Sequence, residues 1–255
     1  MDQYIQDFEK YNNSIVVYDF NIGDGGIADC IKSFVWCIEK AINEKHSLYY
    51  KINNIPIENY LKLIHTKMYV KDLSSLKNNY IYIIKSTDTY NHYDEKHLKI
   101  KLNEIFQFSN DVINNSKAFL DKYNIPPKYI SLHLRLGDKF LETDSKYLQC
   151  KEDTREYNID IIDNFIKNNI NNNIIFFCDN HKFKVDIVNK YKGRVIIINS
   201  NIGHTGLENT TKEQVLDTVT EFYIMSNSQK IISASYSGFP IMASKFNNVP
   251  IEYLY

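Results

Sequence analysis

Tyr129-Ile130-Ser131-Leu132-His133-Leu134-Arg135-Leu136-Gly137-Asp138-Lys139 is the stretch on which the fold of this chain turns. Successive side chains of a strand point to opposite faces. Leu132, Leu134 and Leu136 therefore pack one surface, while Ser131, His133 and Arg135 share the other and run into the Gly137-Asp138 turn. A strand that carries three different polar chemistries toward its C-terminal end suits an open α/β sheet, where ligands bind beyond the carboxyl ends of the strands.

Segments on both sides continue that theme. Downstream, Asn173 to Asp179, Arg194 to Asn199 and Lys230 to Ser235 read as strands. Ile159 to Ile170, Lys182 to Tyr191, Lys212 to Met225 and Phe239 to Phe246 read as helices between and after them. Upstream, a short apolar run from Ser14 precedes a helix over Ile27 to Asn43, with Ile27, Ile31, Phe34, Ile38 and Ile42 at helical spacing. His46 to Ile52 reads as a strand, Ile57 to Ile64 as a helix and Tyr80 to Lys85 as a strand. A long helix from about Glu95 to Tyr123 ends at Pro126-Pro127, because proline cannot continue a helix and biases its predecessor to extended geometry. This alternation predicts parallel sheets with helical crossovers. The two halves, 1–125 and 126–255, read as two Rossmann-like domains facing across a cleft.

Arg135 stands out by identity. Among 30 Lys plus Arg, only Arg135, Arg155 and Arg194 are arginine. A guanidinium offers a planar fork that grips a phosphate through two hydrogen bonds, which lysine cannot reproduce. A salt bridge to Asp138 is the competing reading. Gly23, Gly25 and Gly26 follow a strand and precede a helix, where backbone N–H groups can meet an anion. They form neither a dinucleotide fingerprint nor a P-loop, and a plain tight turn also accounts for them.

Composition narrows the classes. With 44% hydrophobic and 24% charged residues, the 255-residue chain has ample apolar surface for globular cores. A net charge of −1 gives no general attraction to nucleic acid or anionic membranes. The apolar runs are strand-length, and the N-terminus lacks a basic segment followed by an apolar core, so a cytoplasmic chain without signal peptide or membrane span is expected. Cys30, Cys37, Cys150 and Cys178 form neither a CxxC pair nor a zinc knuckle, and the histidines have no metal-ligand spacing. The excess of Ile, Asn, Lys and Tyr points to an A+T-rich genome.

Three motifs carry a resemblance. His133-Leu134-Arg135-Leu136-Gly137-Asp138 resembles the donor-site motif of the fucosyltransferase superfamily, which includes α1,2-, α1,6- and protein O-fucosyltransferases. Ile174 to Asn180 resembles that family's strand ending in Ser-Asp-Asp. The segment from Glu221 to Ala243, with Ser235-Tyr236-Ser237-Gly238, resembles its later acid, strand and helix-opening serines. Order and spacing agree over about residues 126 to 255, whereas the first half resembles the family only at its glycine turn.

The resemblance implies a GT-B-like α/β fold of the soluble bacterial or viral type and a metal-independent enzyme. It would be an inverting fucosyltransferase moving fucose from GDP-fucose to a glycan hydroxyl, needing no cofactor beyond that donor. It implies that Arg135 stabilises the leaving diphosphate, that His133 and Glu221 face guanine and ribose, and that Ser235 and Ser237 bind phosphate. Gly25 and Gly26 would cap the donor from the facing domain. Asp179 either contacts ribose or caps the next helix. Glu142 is the candidate base and Asp24 its competitor. Two departures stand out: Leu136 occupies the place of a second arginine, and Asn180 replaces the second aspartate. They leave open a GT-B enzyme using another nucleotide sugar, or an inactive nucleotide-sugar or glycan-binding domain.

Overall fold

Runs of β-branched, leucine and aromatic residues form the strands of two parallel sheets, the geometry expected when both sheet faces are covered. The structure is a computed structural model that describes residue 11 and residues 14–76, 81–86, 101–148, 150–169, 171–199 and 202–255. The first sheet contains β1 (Ile15–Asp19), β2 (Ser47–Lys51), β4 (Tyr69–Val70) and β5 (Ile81–Lys85), in the order β4-β2-β1-β5. Beside it, β3 (Leu61–Leu63) pairs antiparallel with β6 (Phe106–Phe108). The second sheet contains β7 (Ile130–Leu134), β8 (Ile174–Cys178), β9 (Val195–Ile196), β10 (Lys230–Ser233) and β11 (Ile251–Tyr253), in the order β11-β10-β7-β8-β9. The chain runs outward from β7 in one direction and then returns to add β10 on its other side. That reversal makes a topological switch point between β7 and β10, where open α/β sheets bind ligands.

Six helices complete the described architecture: α1 (Ile27–Glu44), α2 (Asn110–Lys122), α3 (Ile159–Asn168), α4 (His181–Lys190), α5 (Lys212–Ser226) and α6 (Gly238–Asn247). Local chemistry fixes their starts. Ser109 accepts the Val112 N–H at 3.5 Å to open α2, and Thr211 exchanges bonds with Gln214 to open α5. At its far end α1 stops on Lys45, which takes a left-handed φ of 56°.

The faces of the second sheet separate as the leucine alternation dictates. Leu132, Leu134, Leu136 and Phe176 join Ile162 and Ile166 of α3 and Ile187 of α4 in one cluster. On the opposite face, Ile175, Phe177 and Ile231 join a larger cluster that contains α5, α6, α1 and the first sheet through Val16, Tyr18, Leu48 and Tyr50. One apolar core therefore spans both halves. Phe222 lies near its middle, fully buried, with ring contacts to Phe108, Phe239 and Phe246. α2 also packs along α5, so a helix N-terminal to Pro126 rests on one C-terminal to it.

Several sequence expectations change. Residues 57–64 are a 3-10 turn over Pro56–Asn59 followed by β3, not a helix, because Leu61 and Leu63 alternate inward against Phe106 and Phe108. The long helix shortens to α2: residues 102–104 form a 3-10 turn and 106–108 a strand, while 95–100 of the expected span lie outside the described residues. The expected strand over 194–199 is paired only at Val195 and Ile196.

Candidate functional site

Beyond the last ladder residue of β7, the chain is held open by its neighbours. Ser235, just past β10, accepts the Arg135 N–H and donates its hydroxyl to the Arg135 carbonyl, each at 2.8 Å. The Asp179 carboxylate, just past β8, accepts the N–H groups of Leu136 at 2.8 Å and Gly137 at 3.2 Å. Gly137 has φ 110°, and a Cβ there would lie 2.4 Å from the Asp153 carbonyl oxygen, so the following loop can close on the turn only because the residue is glycine. Asp153 then accepts the Lys139 N–H on its carbonyl and the Asp138 N–H on its side chain.

This scaffold aims Arg135. Its guanidinium bonds Asp138 through Nη2 and lies 3.6 Å from Asp179 through Nη1, with 18% of its side chain exposed. Two carboxylates hold the fork in one orientation. The remaining donor capacity faces a cleft of about 590 Å³, a volume suited to a nucleotide-sized ligand.

Two helix N-termini meet at that cleft. Gly25, Gly26 and Ala28 at the start of α1 line it from one side, and Ser237, Gly238 and Phe239 at the start of α6 from the other. A Cβ on Gly238 would sit 3.4 Å from the Ala28 Cβ, so the two ends are in contact. Both helix dipoles present their positive ends to one space, which favours an anion. Some orphan amides are already used: Gly26 N–H donates to Asp29 at 3.1 Å, Ile27 N–H to the Thr205 hydroxyl at 2.9 Å and Phe239 N–H to Ser237 at 3.3 Å. The Thr205 bond belongs to a loop that crosses from the second half to the glycine turn, where Gly23 N–H also donates to the Gly206 carbonyl at 3.0 Å. A Cβ on Gly206 would meet the Gly25 carbonyl oxygen at 2.3 Å, so this joint requires glycine.

The cleft floor is buried and ionisable. Burial, with a smaller push from Arg135, lowers the His133 imidazole to about 3 and keeps it neutral. Its ring stacks on Phe239 at 5.6 Å, while Nδ1 is buried without a protein partner. Burial also drives Glu221 up to about 7, against the pull of Lys184, whose Nζ lies 3.2 Å away and also donates to the Ile198 carbonyl. Asp179 is likewise raised by burial, with Arg135 and the two turn N–H groups opposing the rise.

Of the residues singled out from sequence, Gly25, Gly26, His133, Arg135, Asp179, Glu221 and Ser237 line this one cleft. Ser235 is fully buried behind Arg135 and stitches the strand ends. Asn180, rather than Asp179, caps α4 by accepting the Phe183 N–H at 2.8 Å. Glu142 is exposed outside the lining, and its Oε1 accepts the Lys182 N–H at 3.1 Å. Asp24 braces its own turn by accepting the Asn21 N–H at 2.8 Å. Sequence reading missed Lys32, Arg155, His204 and Thr205, all of which line the cleft. The rarity of arginine was the one available signal for Arg155. Among the described residues, no group of three or more His, Cys, Asp and Glu side chains is placed to hold a metal ion, and no helix is long and apolar enough to cross a membrane.

No protein-family model matches the chain, and no curated protein matches it by sequence. Solved structures match its fold. A point mutant of Arabidopsis thaliana FUT1 in complex with GDP superposes with a TM-score of 0.56 at 10% identity, covering 100% of this chain and 75% of that one. POFUT1 in complex with GDP gives 0.54 at 11% identity, covering 95% of this chain and 98% of the other. The α-1,6-fucosyltransferase NodZ of Bradyrhizobium, soaked with GDP-fucose, gives 0.52 at 11% identity, covering 94% of each chain. The chain shares the GT-B-like α/β fold of these proteins.

Proposed function

We propose that this chain is a glycosyltransferase that moves fucose from GDP-fucose to a glycan hydroxyl, with inversion. The observation that carries the reading is the convergence of Arg135, two helix N-termini and His133 at one switch-point cleft. The fold shared with GDP-bound fucosyltransferases supports it. On this reading residues 126–255 form the donor domain and residues 1–125 the acceptor-side domain, with one apolar core joining them.

The chemistry follows from position. Charge builds on the departing diphosphate as the glycosidic bond breaks. Arg135, already oriented by Asp138 and Asp179, meets that charge without reorganising. The facing ends of α1 and α6 add their dipoles. His133 and Glu221, deeper on the same lining, face guanine and ribose, where a neutral imidazole and a carboxyl titrating near 7 can both hydrogen-bond the nucleoside. Asp179 acts through Arg135 and the turn rather than on ribose. An acceptor hydroxyl needs a carboxylate as base. Glu142, bound to α4 outside the cleft, is poorly placed for this, whereas Asp29 and Asp153 line it.

Leu136 in place of a second arginine favours one alternative, a GT-B enzyme with a different sugar on its nucleotide. The test is incubation with GDP-fucose, GDP-mannose and UDP-sugars over a glycan library, read by mass spectrometry. Fucose addition from GDP-fucose alone supports the proposal, and transfer from another donor replaces it.

A further inference from the structure

The loop that carries Thr205 holds a second ring in the cleft. His204 is fixed at three points: its carbonyl accepts the Leu207 N–H at 3.0 Å and the Thr210 hydroxyl at 2.6 Å, and its Nδ1 accepts the Gly206 N–H at 3.2 Å. An imidazole whose Nδ1 accepts from a backbone amide carries its proton on Nε2. That Nε2 lies beside Gly26, 3.5 Å from where a Cβ would stand, so its N–H is presented at the start of α1 within the cleft. Arg135, Asp138, Asp29 and Asp153 are the charged groups that act on the ring, from the β7 turn, α1 and the loop after Gly137. Burial and Arg135 outweigh the three carboxylates and hold the imidazole down to about 4, neutral at physiological pH.

We propose that His204 is a substrate-binding residue that donates its Nε2–H to the terminal phosphate of the bound nucleoside diphosphate, opposite Arg135. This rests on the nucleotide reading above and adds a residue to it. A neutral donor suits the place. It adds a hydrogen bond to the developing charge without adding a second cation next to Arg135, and the Gly206 bond sets its direction before the ligand arrives. Because the loop also bonds Gly23 and Ile27, the donor stands at the joint between the two halves.

The test compares binding of GDP and GMP to wild type, His204→Asn and His204→Gln, with unliganded melting temperature on the same preparations. Asn keeps an acceptor for the Gly206 N–H but has no atom at Nε2; Gln keeps an N–H near Nε2. His204→Asn is expected to weaken GDP about 10- to 100-fold, the effect of losing one hydrogen bond to a charged group, and GMP by less than about threefold. His204→Gln should restore most of the GDP preference. A GDP-to-GMP ratio unchanged in His204→Asn overturns the proposal, as does equal loss of both nucleotides, which would mark His204 as structural. Should His204→Asn fail to fold, loss of the ratio in a folded His204→Gln overturns it equally. Wild type that binds neither nucleotide removes the nucleotide reading itself, and this inference with it.

Discussion

Arg135→Lys separates chemistry from architecture at the centre of the site. Lysine keeps the charge and can satisfy one of Asp138 and Asp179, but it loses the planar fork that now spans both. If the guanidinium stabilises the leaving diphosphate, losing one preorganised donor at a developing charge costs about 3–4 kcal/mol of barrier, or roughly 10²–10³ in rate. The structural cost is smaller. The side chains involved are 18%, 11% and 9% exposed, and the substitution swaps one cation for another rather than leaving buried carboxylates alone. A loss of about 1 kcal/mol corresponds to a fall of roughly 2–4 °C in a chain of this size. The assay is donor turnover and melting temperature on one preparation. Near-normal turnover with a drop of ten degrees or more would show that Arg135 only ties the strand ends together, and would refute the assigned role.

Further outcomes follow from particular contacts. Gly206→Ala places a methyl 2.3 Å from the Gly25 carbonyl oxygen, so the joint between the halves should open: GDP binding falls at least about tenfold and the melting temperature drops, as read by calorimetry and thermal shift. The raised Glu221 makes a pH-dependent contribution: stability present below about 4.5 is lost as pH rises through about 7, by a few kcal/mol at most. The melting temperature of wild type relative to Glu221→Gln should therefore be higher at pH 5 than at pH 8, and a difference independent of pH contradicts the assignment. Glu142→Gln should leave turnover within about threefold, because the side chain lies outside the cleft lining and accepts the Lys182 N–H of α4; a hundredfold loss would support it as base. Turnover should also survive EDTA, since Arg135 and the helix ends supply the positive potential at the diphosphate.

Much of the fold was legible because both faces of the second sheet are buried, so the leucines of β7 and the apolar pairs of β8 and β10 had to alternate between two clusters. The cleft motif was legible because strand alternation places His133 and Arg135 on one face at a carboxyl end. What failed depended on distant partners. Ile57, Leu61 and Ile64 satisfy helical spacing, and only the pairing of β3 with Phe106 to Phe108 decides otherwise. Ser235 was read with Ser237 as a phosphate ligand from the resemblance of that segment to helix-opening serines, yet its hydroxyl is spent on Arg135, 100 positions away. His204 and Thr205 sit in an irregular loop with no periodicity, and their place at the site comes from a bond between Thr205 and Ile27 across 178 positions.

Thermal shift of the whole chain with GDP, UDP, ADP and dTDP at equal concentration shows whether the cleft is a GDP-using donor site. GDP at about a hundredfold over its dissociation constant should add about 2.7 kcal/mol and raise the melting temperature by several degrees, with no comparable shift from the others. Equal shifts with all four nucleotides, or none with GDP, would rule out a guanine-specific donor site.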